Sequence, residues 1–123
     1  MLKVAPDLSS DDVAQIAEQV VACAFDGVIA TNTTLSREAV AEHPHAMEIG
    51  GLSGQPLADR SVEVVRQLRS ILPEGIALVG VGGISSENQA RDTLKAGAQA
   101  LQIYTSFVYN GPKIVQKLVA ATS

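Results

Sequence analysis

Two rhythms of apolar residues alternate along this chain. Four short apolar runs, Leu2–Ala5, Val28–Thr31, Ile76–Val81 and Leu101–Tyr104, have the length of buried strands. Between them, apolar residues recur at helical spacing. After Pro6-Asp7, Ser9 offers an N-cap, and Asp11 and Asp12 fall in the first turn, where carboxylates favour the helix dipole. Val13, Ile16, Ala17, Val20, Val21 and Ala24 then share one face, and Asp26-Gly27 ends the helix. A second helix is predicted over Ala58–Leu72, with Val62, Val65, Leu68 and either Ile71 or Leu72 inward and Pro73 beyond its end. A third spans Glu87–Ala96, capped by Ser85 or Ser86 and stopped by Gly97. A fourth spans Lys113–Ala121, opened by Pro112 at the usual first helical position. The order βαβαβαβα predicts parallel strands with right-handed crossovers.

One connection breaks this regularity. From Asn32-Thr33-Thr34 to Pro56 the chain has no strong pattern, apart from a candidate short helix at Ser36–Glu42 and the segment Gly50-Gly51-Leu52-Ser53-Gly54. Connections of this length in compact domains are usually functional or mobile.

Composition narrows the class. With 123 residues, 46% of them hydrophobic, the chain suits a single domain over residues 1–123 with a buried core. Its aromatics are Phe25, Tyr104, Phe107 and Tyr109, so that core must be aliphatic. A net charge of −4 with scattered basic residues leaves no electrostatic footprint for nucleic acid. No apolar run approaches the ~18 residues of a membrane span, and no leader pattern opens the chain. Cys23 is single, so no intrachain disulfide forms, and a reducing cytoplasm fits. Cys23 itself is expected to be a buried structural thiol. His43 and His45 lack a supporting carboxylate or cysteine cluster and are expected to be exposed loop residues, not metal ligands. Asp7 is expected to cap a turn, and the helix Glu and Arg residues to form a solvated face.

Candidate chemistry gathers in the last third. Gly80-Val81-Gly82-Gly83-Ile84 and Gln102-Ile103-Tyr104-Thr105-Ser106 each close a strand pattern. In a (βα)8 barrel the loops after strands 7 and 8 commonly hold a phosphate. Glycines there admit unusual backbone angles and let N–H groups approach an anion, and the helix beginning near Ser86 aims its N-terminus at the same place. A phosphorylated cofactor is the reading. Yet a full barrel needs about 250 residues. Four units leave two unpaired sheet edges and one uncovered face, so the chain is expected either to pair with another half-barrel or to flatten into an open, doubly wound sheet resembling a flavodoxin layout.

Five ordered segments carry a more specific likeness: Leu2-Lys3-Val4-Ala5-Pro6-Asp7-Leu8, Ile29-Ala30-Thr31-Asn32-Thr33-Thr34, Gly51-Leu52-Ser53-Gly54-Gln55-Pro56-Leu57, Gly80-Val81-Gly82-Gly83-Ile84-Ser85 and Gln102-Ile103-Tyr104-Thr105. Together they resemble the C-terminal half of a dihydroorotate dehydrogenase of the quinone-linked class. The resemblance implies an α/β fold, the C-terminal (βα)4 half of a TIM (βα)8 barrel with parallel strands 5–8 and their helices. It also implies an FMN-dependent oxidoreductase of pyrimidine (UMP) biosynthesis that oxidises dihydroorotate to orotate and passes the electrons to quinone. On this likeness Lys3, Thr31, Gly54, Gly83, Tyr104 and Thr105 bind the cofactor, and Asn32 and Thr33 bind substrate. A cation at Lys3 would stabilise negative charge developing on the flavin. Asn and Thr offer orotate's carboxylate and ring amides both donors and acceptors. The family's serine base sits in the N-terminal half, as does the segment through which full-length members associate with a membrane. The resemblance therefore names no catalytic residue here and implies an inactive isolated chain. Partners implied are dihydroorotate or orotate and quinone in the full-length enzyme, together with the missing N-terminal half or a second copy of this chain. One alternative stays open, a non-catalytic half-barrel that self-associates or completes a partner as an FMN- or phosphate-binding module. The Ala30-Thr31-Asn32-Thr33-Thr34 and Gly51-Leu52-Ser53-Gly54 pairing argues against another phosphate-binding FMN barrel such as an IMP dehydrogenase relative, since those families place a catalytic Cys in this half and Cys23 falls in a helix.

Overall fold

A computed structural model describes all residues, 1–123. Its four strands, β1 (Leu2–Val4), β2 (Gly27–Ala30), β3 (Ala77–Val81) and β4 (Ala100–Gln102), form one sheet in the order β1-β2-β3-β4. Every pairing is parallel. The helices are α1 (Ser10–Ala22), α2 (Ala58–Ile71), α3 (Glu87–Lys95), α4 (Thr105–Asn110) and α5 (Lys113–Thr122). Strands in sequence order require each crossover to return on the same side. Consistently, α1 packs on α2, α2 on α3 and α3 on α5, in one curved layer. The doubly wound alternative, with helices on both faces, is not what forms.

Alternation along the strands decides what that layer covers. Val4, Val28, Ala30 and Leu78 point toward the helices and meet Val13, Ala17, Val20, Val64, Val65 and Leu68 in the main core. A smaller cluster of Ile84, Ala90, Ile114 and Leu118 joins α3 to α5. The opposite face carries Lys3, Ile29, Val79 and Ala100 in one register row, and Val81 with Gln102 in the next. No helix covers it.

Several expectations need correction. In α2 the inward residues are Ala58, Ser61, Val64, Val65 and Leu68, with Val62 only half-buried; Leu72, not Ile71, is the buried member of its pair. The short helix expected at Ser36–Glu42 is a single 3-10 turn, Glu38–Val40. β3 starts at Ala77 instead of Ile76, and β4 ends at Gln102, short of Tyr104. Tyr104 instead opens α4, which the apolar pattern did not announce because Phe107, Val108 and Tyr109 are all exposed. Arg60 and Arg69 are not solvated. Arg60 donates to the carbonyls of Pro6 and Leu8, and Arg69 to those of Leu72, Pro73 and Ile76.

The ends of α1 show both a success and a miss. Ser9 caps the helix in a capping box, its hydroxyl accepting from the Asp12 N–H while the Asp12 carboxylate accepts from the Ser9 N–H. The Ser9 hydroxyl and backbone hold the Asp12 carboxyl below its ordinary pKa. The C-terminus arrives earlier than Asp26-Gly27. Ala24 N–H bonds to Val21 O and Phe25 N–H to Val20 O, a Schellman arrangement with Ala24 in the left-handed region at φ 53°. Val21 falls on the outer face of α1 and Cys23 is its C-cap, so the cysteine is exposed, not buried. A side chain in this conformation is disfavoured. Ala24→Gly is therefore expected to raise stability by about 0.5–1 kcal/mol after allowing for the freer unfolded chain. A urea midpoint that falls instead would contradict this.

Candidate functional site

A parallel sheet with helices on one side delivers its loops to one end, past the C-termini of the strands. Here Thr31-Asn32-Thr33 leave β2, Gly82-Gly83-Ile84-Ser85 leave β3, and Ile103 to Ser106 leave β4. With Gly51 to Leu57 of the long connection they border a cleft of about 910 Å3. Lys3, on the helix-free face of β1, reaches the same cleft. It therefore gathers all of Lys3, Thr31, Asn32, Thr33, Gly54, Gly83, Tyr104 and Thr105. The sequence brought these from four separate strand ends and one loop.

Each segment is held by identifiable bonds. The Ala30–Thr31 peptide is cis. Thr31 N–H donates to Val81 O at 2.7 Å, tying β2 to β3, and Asn32 N–H donates to Val4 O at 2.7 Å, tying it to β1. Thr31 is buried, its hydroxyl donating to Asn32 O at 2.9 Å, whereas Asn32 and Thr33 are exposed to the cleft. The long connection is pinned at both ends. Asp7 accepts from the Thr34 hydroxyl and from Leu35 N–H, so instead of capping its own turn it ties the end of β1 to the loop after β2. Thr34 and Leu52 form an antiparallel bridge, and the Arg37 guanidinium gathers the carbonyls of Thr34, Ser36, Glu48 and Gly50. Thr105 then donates to Ser53 at 2.9 Å, joining this connection to the loop after β4.

The glycine turn after β3 differs in one respect from its sequence reading. Gly82 and Gly83 have φ of 122° and 71°, so both need the left-handed freedom of glycine. The space a side chain would fill, however, belongs to the protein. A Cβ on Gly83 would lie 2.5 Å from Ala58 N, and one on Gly82 would collide with the Ser61 hydroxyl. These glycines let the turn press onto the start of α2; the cleft gains their backbone. The N–H groups of Gly82, Gly83 and Ile84 have no protein acceptor.

Electrostatically the cleft departs from the molecule around it. In a chain of net charge −4, the only charged side chain on the cleft lining is Lys3. No carboxylate, histidine or cysteine faces it. The remaining lining is amides, hydroxyls and backbone, with apolar Leu52, Pro56, Leu57, Val81, Ile84 and Ile103. Such a set attracts an anion and hydrogen-bonds a heteroaromatic ligand. His43 and His45 line a separate, smaller pocket inside the long connection, His45 Nδ1 lying 2.8 Å from Glu48.

Gln55, Ser85 and Ser106, which lie in the quoted motifs without an assigned binding role, also line the cleft, and Tyr109 and Asn110 join them from outside any motif. Ser106 is buried, and its hydroxyl has no hydrogen-bond partner within the chain. The unforeseen α4 accounts for Tyr109 and Asn110, since no apolar periodicity marked it.

Known proteins share both sequence and architecture with this chain. The family model for dihydroorotate dehydrogenase matches residues 1–121. The dihydroorotate dehydrogenase (quinone) of Aeromonas salmonicida is 51% identical over 118 residues, and that of Shewanella frigidimarina 50% identical over 120. These alignments cover 96% and 98% of this chain but 35% of each relative, so the chain spans about a third of the length of the curated relatives it matches. The crystal structure of dihydroorotate dehydrogenase from Eimeria tenella in complex with ferulenol superposes with a TM-score of 0.91 at 33% identity, covering 98% of this chain and 32% of that one. No helix here is long and apolar enough to cross a membrane.

Proposed function

The chain belongs to the dihydroorotate dehydrogenase family, and from that premise we propose that it is the C-terminal, cofactor-binding part of a quinone-linked member, holding FMN in the cleft at the ends of its strands. One observation carries the reading: the eight residues of the motifs line a single cleft whose only charge is a lysine. Members of the family are flavoenzymes.

The cleft suits the phosphate end of such a cofactor. The unpaired N–H groups of Gly82, Gly83 and Ile84, with the loop from Tyr104 to Ser106 beside them, are donors without acceptors. The partnerless Ser106 hydroxyl adds to the same side. Lys3 and Thr31 stand on the β1–β2 side, where the ring system would lie, and Gly54 and Thr105 close the wall between. When bound, FMN supplies the two-electron acceptor that dihydroorotate oxidation needs. Asn32 and Thr33 present an amide and a hydroxyl for the substrate's carboxylate and ring amides. Asn32 is aimed from both sides of its backbone, by Val4 O on its N–H and by the Thr31 hydroxyl on its carbonyl.

No group on the lining is placed as a general base. Ser53 is bonded to Thr105, Ser85 donates to Gln89, and no imidazole or carboxylate adjoins either. In this reading the base, the remaining substrate contacts and the quinone route are supplied by protein outside this chain, and the bare sheet face is where that protein sits. A second reading, a non-catalytic half-barrel completing a partner or a second copy, draws on the same bare face and on the unpaired outer edges of β1 and β4.

The test is a titration of FMN into the 123-residue chain, followed by flavin fluorescence, with riboflavin as the comparator. Quenching with a Kd in the micromolar range, and riboflavin at least about tenfold weaker because it lacks the anion, is the expected result. A folded chain that leaves both flavins unquenched at about 1 mM, a free energy too small for a formed site, would sink the proposal.

A further inference from the structure

Beneath the cleft, out of contact with it, one hydroxyl touches both of the segments that matter most. Ser61 lies on the inward face of α2 and is 1% exposed. Its Oγ is 3.1 Å from the Thr31 hydroxyl oxygen, and Thr31 is 2% exposed. The Thr31 hydroxyl also donates to Asn32 O. The two hydroxyls share a hydrogen bond in which either can donate, and it links Ser61 through Thr31 to the Asn32 carbonyl. On its other side, Ser61 Oγ occupies the space that any side chain at Gly82 would need. Gly82 can come this close only because it has no Cβ, and it is the first residue of the turn with free N–H groups.

We propose that Ser61 is a positioning residue, which sets the Thr31–Asn32–Thr33 segment against the Gly82–Gly83 turn and so fixes the spacing between the substrate side and the phosphate side of the cleft. The inference rests on the function proposed above for those segments, but its geometry does not. A serine suits the place on two counts. Alanine would remove the hydroxyl link to Thr31, and threonine or a larger residue would add bulk where Gly82 already lies close to the Ser61 hydroxyl. The neighbouring apolar positions of the helix, Val64, Val65 and Leu68, make no such polar link. A buried hydroxyl between two ligand-facing loops is a directional constraint that hydrophobic packing alone does not provide.

The experiment uses Ser61→Ala and Ser61→Cys in the full chain, with two readouts. The first needs no ligand: amide hydrogen exchange at Thr31 and Asn32, whose N–H groups are bonded to Val81 and Val4. Both variants should exchange at least about fivefold faster there, while the amides of α1 and α3 stay within twofold of the parent. Adding Ser61→Ala to Thr31→Val should then change little, since the partner hydroxyl is already gone. The second readout is FMN affinity, which should weaken about tenfold in both variants as the two sides of the site lose their spacing. Unchanged exchange at Thr31 and Asn32, or acceleration spread evenly over the chain, would overturn the inference. So would a Ser61→Cys chain that behaves as the parent, because bulk and not the hydroxyl would then be responsible. A parent chain that binds no FMN while the exchange result holds would reject the cofactor site and leave the positioning role standing.

Discussion

Gly83→Ala is expected to lower the stability of the chain by about 2–6 kcal/mol, a large share of what a domain this size possesses. Two penalties add. At φ 71° an alanine is held in a region that costs a non-glycine residue roughly 1–3 kcal/mol. Its Cβ would also lie 2.5 Å from Ala58 N, where nothing can rotate aside because the obstacle is the backbone at the start of α2. Overpacking of this kind typically costs about 1–3 kcal/mol more. Relief demands that the turn lift away from α2, which would carry the free N–H groups of Gly83 and Ile84 with it. Chemical denaturation should show a large fall in midpoint, and the surviving folded fraction should bind FMN poorly. A variant with near-parental stability would mean the turn has slack the close contacts deny. By comparison, Gly50 and Gly75 meet nothing within 4 Å, so the same exchange there lacks the steric penalty.

The second large effect concerns charge. Lys3→Ala should weaken FMN binding about tenfold, and Lys3→Glu by about a hundredfold or more, because the second change places a carboxylate where the cleft lining has none. Stability should move little, since Lys3 is exposed and makes no ion pair. The finer expectation separates the two forms of the cofactor. A cation beside a ring that gains negative charge on reduction favours the reduced form, so Lys3→Ala should loosen reduced FMN about tenfold more than oxidised FMN. Titrations of both forms under anaerobic conditions measure this directly. Equal losses would place the lysine at the phosphate or out of contact with the ring. Loss of riboflavin binding alongside FMN would support the ring side.

How far the sequence could be read depended on where the determining contact lay. Strands and helices were legible because their apolar positions face one continuous layer: Val13, Ala17 and Val20 repeat at helical spacing and are buried together. The motif residues were legible by resemblance, and their convergence followed from parallel topology, since every strand ends on the same side. What could not be read is what tertiary contact alone decides. Val64 joins Val65 and Leu68 in the core while Val62 packs at its edge, because α2 is rolled to press Ser61 and Ala58 against the glycine turn. Cys23 looked buried within Val20-Val21-Ala22-Cys23-Ala24, but the helix ends at a left-handed Ala24, ahead of the Asp26-Gly27 pair expected to stop it. α4 escaped notice because its apolar residues point outward. Gly82 and Gly83 were legible as positions needing unusual backbone angles, but the close contact with α2 that their missing side chains allow was not. Their lack of side chains serves the packing of one loop on one helix, and the cleft receives the result.

Arg37, Arg60 and Arg69 have one habit in common: each fastens a loop by its main-chain carbonyls and by no side chain. A carbonyl is present whatever residue bears it. The connection from Ser36 to Gly50, along with the turns after β1 and α2, is thus free to diverge between relatives in residue type while retaining its path, provided the three guanidiniums stay. Variation at His43, His45 or Met47 in such a chain would carry little information about the chemistry it frames. A change at Arg37, by contrast, would free the carbonyls of Glu48 and Gly50, leaving the Thr34–Leu52 bridge and the Thr105–Ser53 bond to hold the part that borders the cleft.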